Sequence, residues 1–198
     1  VQDIAKVQFL GGDGDDTLTV DFDGAATPVP LGGLTFDGGA DSDLLELVNV
    51  GPAFPTHTYN YTSASAGSIV LDDGATAFTI TYAGLEPLSN DGTPVEVIFN
   101  LPGTADASVT LSDLGGGQTR LAGASFEDTD FVAPAAGGSI TINLGDEDQT
   151  LTVNSLTLNA NTDLTINGDG GSDMVSLNAE AGLSVTGDLS LTAEPIDQ

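Results

Sequence analysis

The sequence has no cysteine, no tryptophan, one histidine and one methionine, and only two bases, Lys6 and Arg120. Each shortage excludes something. Without cysteine there are no disulfides and no thiolate metal sites. Two bases against 30 acids leave a formal net charge of −28. Such a surface repels phosphate backbones, which excludes nucleic acid as a partner. It also repels anionic lipid. No apolar run reaches the roughly 20 residues of a membrane span, so direct membrane insertion is not expected. Sustained apolar spacing of three and four with caps, the helix signal, is missing as well. The chain opens at VQDIAKV with no basic-then-apolar leader; the expectation is that a signal was removed or that the chain is a piece of something longer. An acidic chain without cysteine fits an extracellular or cell-surface setting.

What is present is short alternation. The stretches TLTVDF (17–22), FTITY (78–82), VEVIFNL (95–101), SVTL (108–111), SITINL (139–144), TLTV (150–153), LTLNA (156–160), LTINGD (164–169) and LSVTGDLSLTA (183–193) put Leu, Ile and Val at every second position. Alternate residues of a strand point to opposite faces, so one face is apolar and the other carries Thr, Ser, Asn and Asp. The class is all-β. Hydrophobic residues are 39% of 198 positions, a composition for one folded domain spanning 1–198 rather than a disordered acidic tail.

The alternation recurs at spacing. GDGDDTLTV (12–20) and GDEDQTLTV (145–153) share seven of nine residues, and looser copies stand at GGADSDLLEL (38–47) and GDGGSDMVSL (168–177). Gly11 and Gly38 lie 27 residues apart in the first half, and Gly145 and Gly168 lie 23 apart in the second. Those are coil lengths for a right-handed parallel β-helix, and at about 23 residues per coil the chain would make roughly eight coils. Residues 54–93 break the rhythm. Two or three strands there, with Asp73-Gly74 as a turn, predict a hairpin-like excursion from the solenoid. Neither end shows a capping helix or a charged shield, so coil edges are expected to pair with copies of the chain or with flanking solenoid repeats, end to end.

The turn before the strand at 17–22 carries a resemblance. GGDGDDTLT (11–19) is similar to the glycine-rich nonapeptide of the repeats-in-toxin family, and GGADSDLLE (38–46) and GDGGSDMVS (168–176) fit it with one replacement each. The wider rhythm, including FTITYAGLEPL, resembles segments of large repetitive bacterial surface proteins. The first resemblance implies calcium, a hard cation that prefers oxygen ligands. Asp16, Asp43 and Asp173 match the family's ligand position. Asp13, Asp15, Asp41, Asp146, Asp148 and Asp169 are auxiliary candidates. The motifs here stand more than 20 residues apart rather than in tandem, and Gln149 takes the ligand position of the fourth copy. Two readings therefore stay open: a calcium-holding corner, or a tight turn that Gly fits and Asp caps without metal.

Other functions weigh less. A polyuronate lyase needs bases that this chain lacks. A paired-carboxylate hydrolase needs a pair, and none stands out among so many acids. His57 sits in Thr/Tyr alternation, has no triad partner and is expected on a strand's surface. Tyr59, Tyr61 and Tyr82 fit a sheet cluster better than a sugar platform, which leaves surface glycans as a further partner class. The pairs Thr17/Thr19, Thr79/Thr81 and Thr150/Thr152 suggest the threonine arrays of ice-binding solenoids, but at irregular spacing. The sequence therefore points to a non-catalytic structural module, with a carbohydrate-binding or carbohydrate-degrading β-helix and an ice-binding solenoid as alternatives.

Overall fold

The structure is a computed structural model and describes residues 4–24, 26–178 and 182–192. Among them are 17 strands and no helix, hence none long and apolar enough to cross a membrane. The strands form two mixed sheets. Across the first sheet the order is β1 (Val7–Asp13), β3 (Leu34–Ala40), β7 (Ala77–Ala83), β6 (Ala66–Asp72), β5 (Thr56–Ser63), β9 (Glu96–Asn100), β13 (Ser139–Asn143), β15 (Asp163–Asn167) and β17 (Leu189–Thr192). Across the second it is β2 (Thr17–Asp21), β4 (Leu44–Val48), β8 (Leu88–Asn90), β12 (Thr129–Val132), β11 (Gln118–Ala122), β10 (Asp106–Gly115), β14 (Gln149–Asn154) and β16 (Met174–Asn178).

At both ends of the molecule the chain alternates between sheets, and each strand pairs in parallel with its neighbour. The middle differs. β5, β6 and β7 form an antiparallel meander in the first sheet, within the stretch that breaks the sequence rhythm. β10, β11 and β12 form another in the second sheet, where alternation marks only 108–111. β6 and β11 alone run against their sheets. The stretch 156–160 is not a strand; it makes only a bridge, from Thr157 to Ser184. Proline, glycine and asparagine at the neighbouring turns do not decide these details from sequence.

The alternation places the core. In the first sheet one register column runs Val7, Leu34, Ile80, Ile69, Tyr59, Phe99, Ile142, Ile166, Leu191. In the second it runs Leu18, Leu45, Leu88, Thr129, Leu121, Leu111, Val153, Leu177. All but the end members and Thr129 are buried hydrophobic residues. Thr129 is the polar exception, and its hydroxyl accepts a hydrogen bond from Tyr61 OH at 2.7 Å. Aromatic rings fill the centre: Tyr59 stacks on Phe99 at 4.9 Å between centroids, and Phe99 meets Phe131 edge-on at 4.9 Å.

The outer face of the first sheet adds an amide ladder. Asn100 Nδ2 donates to Asn60 Oδ1 (2.7 Å), Asn143 to Asn100 (2.6 Å) and Asn167 to Asn143 (2.9 Å). In-register parallel strands bring like residues within reach, so identical amides satisfy one another from strand to strand.

Candidate functional site: the acidic corners

The corner between β1 and β2 explains the Gly-x4-Asp spacing. The carboxylate of Asp16 tucks beneath Gly11, where a Cβ would stand 2.7 Å from Oδ2. Asp43 lies beneath Gly38 in the same way, and Asp173 beneath Gly168. Glycine at the first position leaves room for the acid at the sixth. Gly39 adds a second constraint, since a Cβ there would collide with the Gly12 carbonyl oxygen and its φ is 109°.

The nine candidate aspartates form two groups. Turns 11–16 and 38–43 lie side by side. Asp43 Oδ1 accepts the Asp16 N–H (2.8 Å), Asp15 Oδ1 accepts the Ser42 N–H (3.1 Å), and Asp41 Oδ2 accepts the Gly14 N–H (3.1 Å). Turns 145–148 and 168–173 repeat the pattern: Asp173 Oδ1 accepts the Gln149 N–H (3.0 Å) and Asp148 Oδ1 accepts the Ser172 N–H (2.8 Å). Asp13, Asp146 and Asp169 are exposed at the rims. The two groups sit at opposite ends of the second sheet, with β8, β12, β11 and β10 between them.

Calcium's preference for hard oxygens suits these groups in kind. Asp43 is fully buried, and Asp16, Asp43 and Asp173 each keep an Oδ2 with no hydrogen-bond partner. They do not suit it in convergence. No three His, Cys, Asp or Glu side chains among the described residues come together to hold an ion. In this arrangement the carboxylates cap backbone amides of the adjacent turn. Burial raises Asp173, helped by Asp148 and Asp169, while the Gln149 N–H opposes the rise. Gln149, at the ligand position of the fourth copy, is buried and donates from Nε2 to the Thr104 carbonyl (2.7 Å). Leu144 stands five residues before it, where the other copies have glycine.

Two acids of the centre carried no sequence signal that singled them out, and one histidine was expected elsewhere. Asp106 is buried; burial works to raise it, yet Ser108 and Ser125 donate to both its oxygens and hold it below the ordinary range. Glu127 is buried with Oε2 unpartnered, in the run FEDTD (126–130). Burial first, then Glu86 and Asp128, push it up to about 8. His57 corrects an expectation: it faces the core at 1% exposure, not the surface. Its Nδ1 meets Asn90 Nδ2 at 3.2 Å, so the amide donates and the proton belongs on Nε2. Burial lowers it to about 4, which keeps it neutral at pH 7. The same Asn90 amide donates to Tyr59 OH (2.9 Å).

Other candidates separate. Tyr59, Tyr61 and Tyr82 are all buried and present no platform to a sugar. Thr79 and Thr81 lie on the first sheet, whereas Thr17, Thr19, Thr150 and Thr152 lie on the second, so the three pairs form no single array. Arg120 makes a bidentate pair with Asp130 at 2.6 and 2.8 Å. The chain matches no family model, no curated protein and no solved structure.

Proposed function

We propose that this chain is a non-catalytic structural module, a β-helix interrupted by two meanders, that stacks end to end on copies of itself or on flanking solenoid repeats. The carrying observation is how the core columns end. Phe9 pairs with buried Phe36, yet is 43% exposed; Leu189 and Leu191 pair with buried Leu164 and Ile166, yet are 40% and 48% exposed. Leu177, beside buried Val153, is also exposed. No described residue covers these positions.

Strand direction supports the same reading. β1 and β17 run the same way in the first sheet, as do β2 and β16 in the second. A translated copy therefore offers β1 and β2 to the open edges of β17 and β16 with parallel polarity. Leu191 then falls in the column of Val7, and Leu177 in that of Leu18. An edge with an apolar face invites such pairing.

In this reading the acidic corners keep the sides of a filament soluble and repel lateral association. Calcium acts there as a counter-ion that relieves repulsion between stacked acidic turns. The setting is extracellular or on a cell surface, and the module is a scaffold. Sedimentation velocity tests the central step. Concentration-dependent growth into rods, abolished by Leu191→Asp, is the expected result. A monomer at all concentrations would overturn stacking on copies of the chain.

A further inference from the structure

The acids at the centre play no part in stacking. A cleft of about 430 Å³ opens there, between the β5–β6 turn, the residues before β8 and the β11–β12 loop. Ala64, Pro87 and Phe126 supply apolar walls, and Glu86, Glu127 and Asp128 supply acids. Glu127 is 3% exposed, lines the cleft, and keeps Oε2 without a hydrogen-bond partner. No base of the chain serves it. Arg120–Asp130 is the one ion pair among the described residues, and Lys6 lies exposed ahead of β1.

A buried carboxylate without a partner is costly, so the site is completed by a proton or by a cation from outside. The walls decide which cation. Calcium takes six to eight oxygens, and no three acid side chains converge among the described residues. The cleft instead has the size of small-molecule sites, roughly 300–1,000 Å³, and the mixed lining they favour. A lining that combines apolar side chains with carboxylates matches an alkyl stem with an ammonium head. We propose that this cleft binds a primary alkylammonium group, with Glu127 as its counter-carboxylate and Glu86 as a second acceptor. A lysine side chain and a free alkyl diamine share that chemistry.

Binding moves a proton. Glu127 without a cation is held up to about 8 by burial, Glu86 and Asp128. Tyr61 and Tyr82, which also face it, are neutral because burial pushes both far up. At pH 7 the Glu127 carboxyl therefore carries its proton, and docking of the ammonium expels it to solvent.

Calorimetry on the whole chain at pH 7 tests this, with N-acetyl-lysine methylamide, cadaverine and calcium chloride as separate titrants. Two buffers of different ionisation enthalpy count the protons. Saturable binding of either amine, release approaching one proton, and amide NMR shifts centred on residues 123–128 are expected. The amine that binds identifies the source, a protein side chain or a free diamine. Glu127→Gln keeps its fold, weakens binding by about tenfold or more and releases no proton. Amine binding unchanged in that variant would overturn the proposal. So would shifts spread over the acidic corners, or calcium filling the cleft in place of the amines.

Discussion

The middle and the ends of this molecule are built from the same alternation and finish differently. Around β5, β9 and β12 inward side chains meet one another: Tyr59, Phe99 and Phe131 are buried in one aromatic cluster. At β1, β16 and β17 the same columns stop with Phe9, Leu177, Leu189 and Leu191 exposed. Burial there depends on a neighbouring strand rather than on residue type. A stacked architecture is therefore complete only where both neighbours exist. The middle pairs some of its buried polar groups internally, Thr129 with Tyr61 and Asn90 with His57, and leaves Glu127 Oε2 unpartnered, while the ends leave apolar surface to be covered.

The largest test of that contrast is truncation. Phe99→Ala is expected to cost about 3–5 kcal/mol in denaturant unfolding, because a buried ring leaves a cavity. Leu191→Ala is expected to cost about 0.5 kcal/mol or less in the monomer, yet to weaken association. Equal costs at the two sites would erase the distinction between middle and ends.

Next comes the amide ladder. Asn100 both donates to Asn60 and accepts from Asn143. Asn100→Ala is expected to cost about 1–2 kcal/mol, the loss of two partly buried hydrogen bonds. Asn178→Ala, with one exposed bond to Asn154 at the end of its sheet, is expected to cost a few tenths.

The pH dependence sharpens the contrast within the middle itself. His57, lowered to about 4 from its ordinary 6.5, contributes stability that is present above 6.5 and lost as pH falls toward 4. Glu127, raised to about 8 from an ordinary 4.5, contributes stability that is present below 4.5 and lost as pH rises toward 8. In thermal melts His57→Gln is expected to flatten the acid side. Glu127→Gln is expected to flatten the curve between pH 4.5 and 8 and to raise the midpoint at pH 8. A Glu127→Gln curve parallel to wild type would show that this acid is not held protonated.

A small effect belongs to cations. Calcium and magnesium are expected to raise the midpoint alike, by a few degrees at most, about 1 kcal/mol on a chain of this size. An identical midpoint in calcium and in chelator would remove the counter-ion role. A shift with calcium alone would mean that the Asp16 and Asp43 carboxylates leave their amides and converge on an ion.

The strands were legible because alternation is local: TLTVDF, SITINL and TLTV each lie on a strand with Leu, Ile or Val inward. The β10–β12 meander was not, because an antiparallel return and a parallel strand show the same alternation, and only the partner differs. The aspartates of the corners were legible as residues and as neighbours, since Gly-x4-Asp marks the turn. Their amide-capping contacts were not, because the N–H groups they accept from lie on the adjacent turn, 24 to 27 residues away. His57 escaped since it shares a strand face with Tyr59 and Tyr61, and only the burial of those tyrosines shows that this face is inside. Glu127 escaped because nothing in FEDTD says that Phe126 and Thr129 draw it under the surface.

Stacking itself has a direct measurement, since the chain has no cysteine of its own. Gln8 and Thr192 close the two ends of one outer column in the first sheet, the one that holds the asparagine ladder. Adjacent strands lie about 4.8 Å apart, within the roughly 4.4–6.8 Å between Cα atoms that a disulfide spans. A chain carrying both Gln8→Cys and Thr192→Cys is predicted to give, under mild oxidation, a ladder of head-to-tail oligomers on a non-reducing gel, and either single variant a dimer at most. Monomer alone from the double variant, at concentrations where the wild type sediments as rods, would contradict the account.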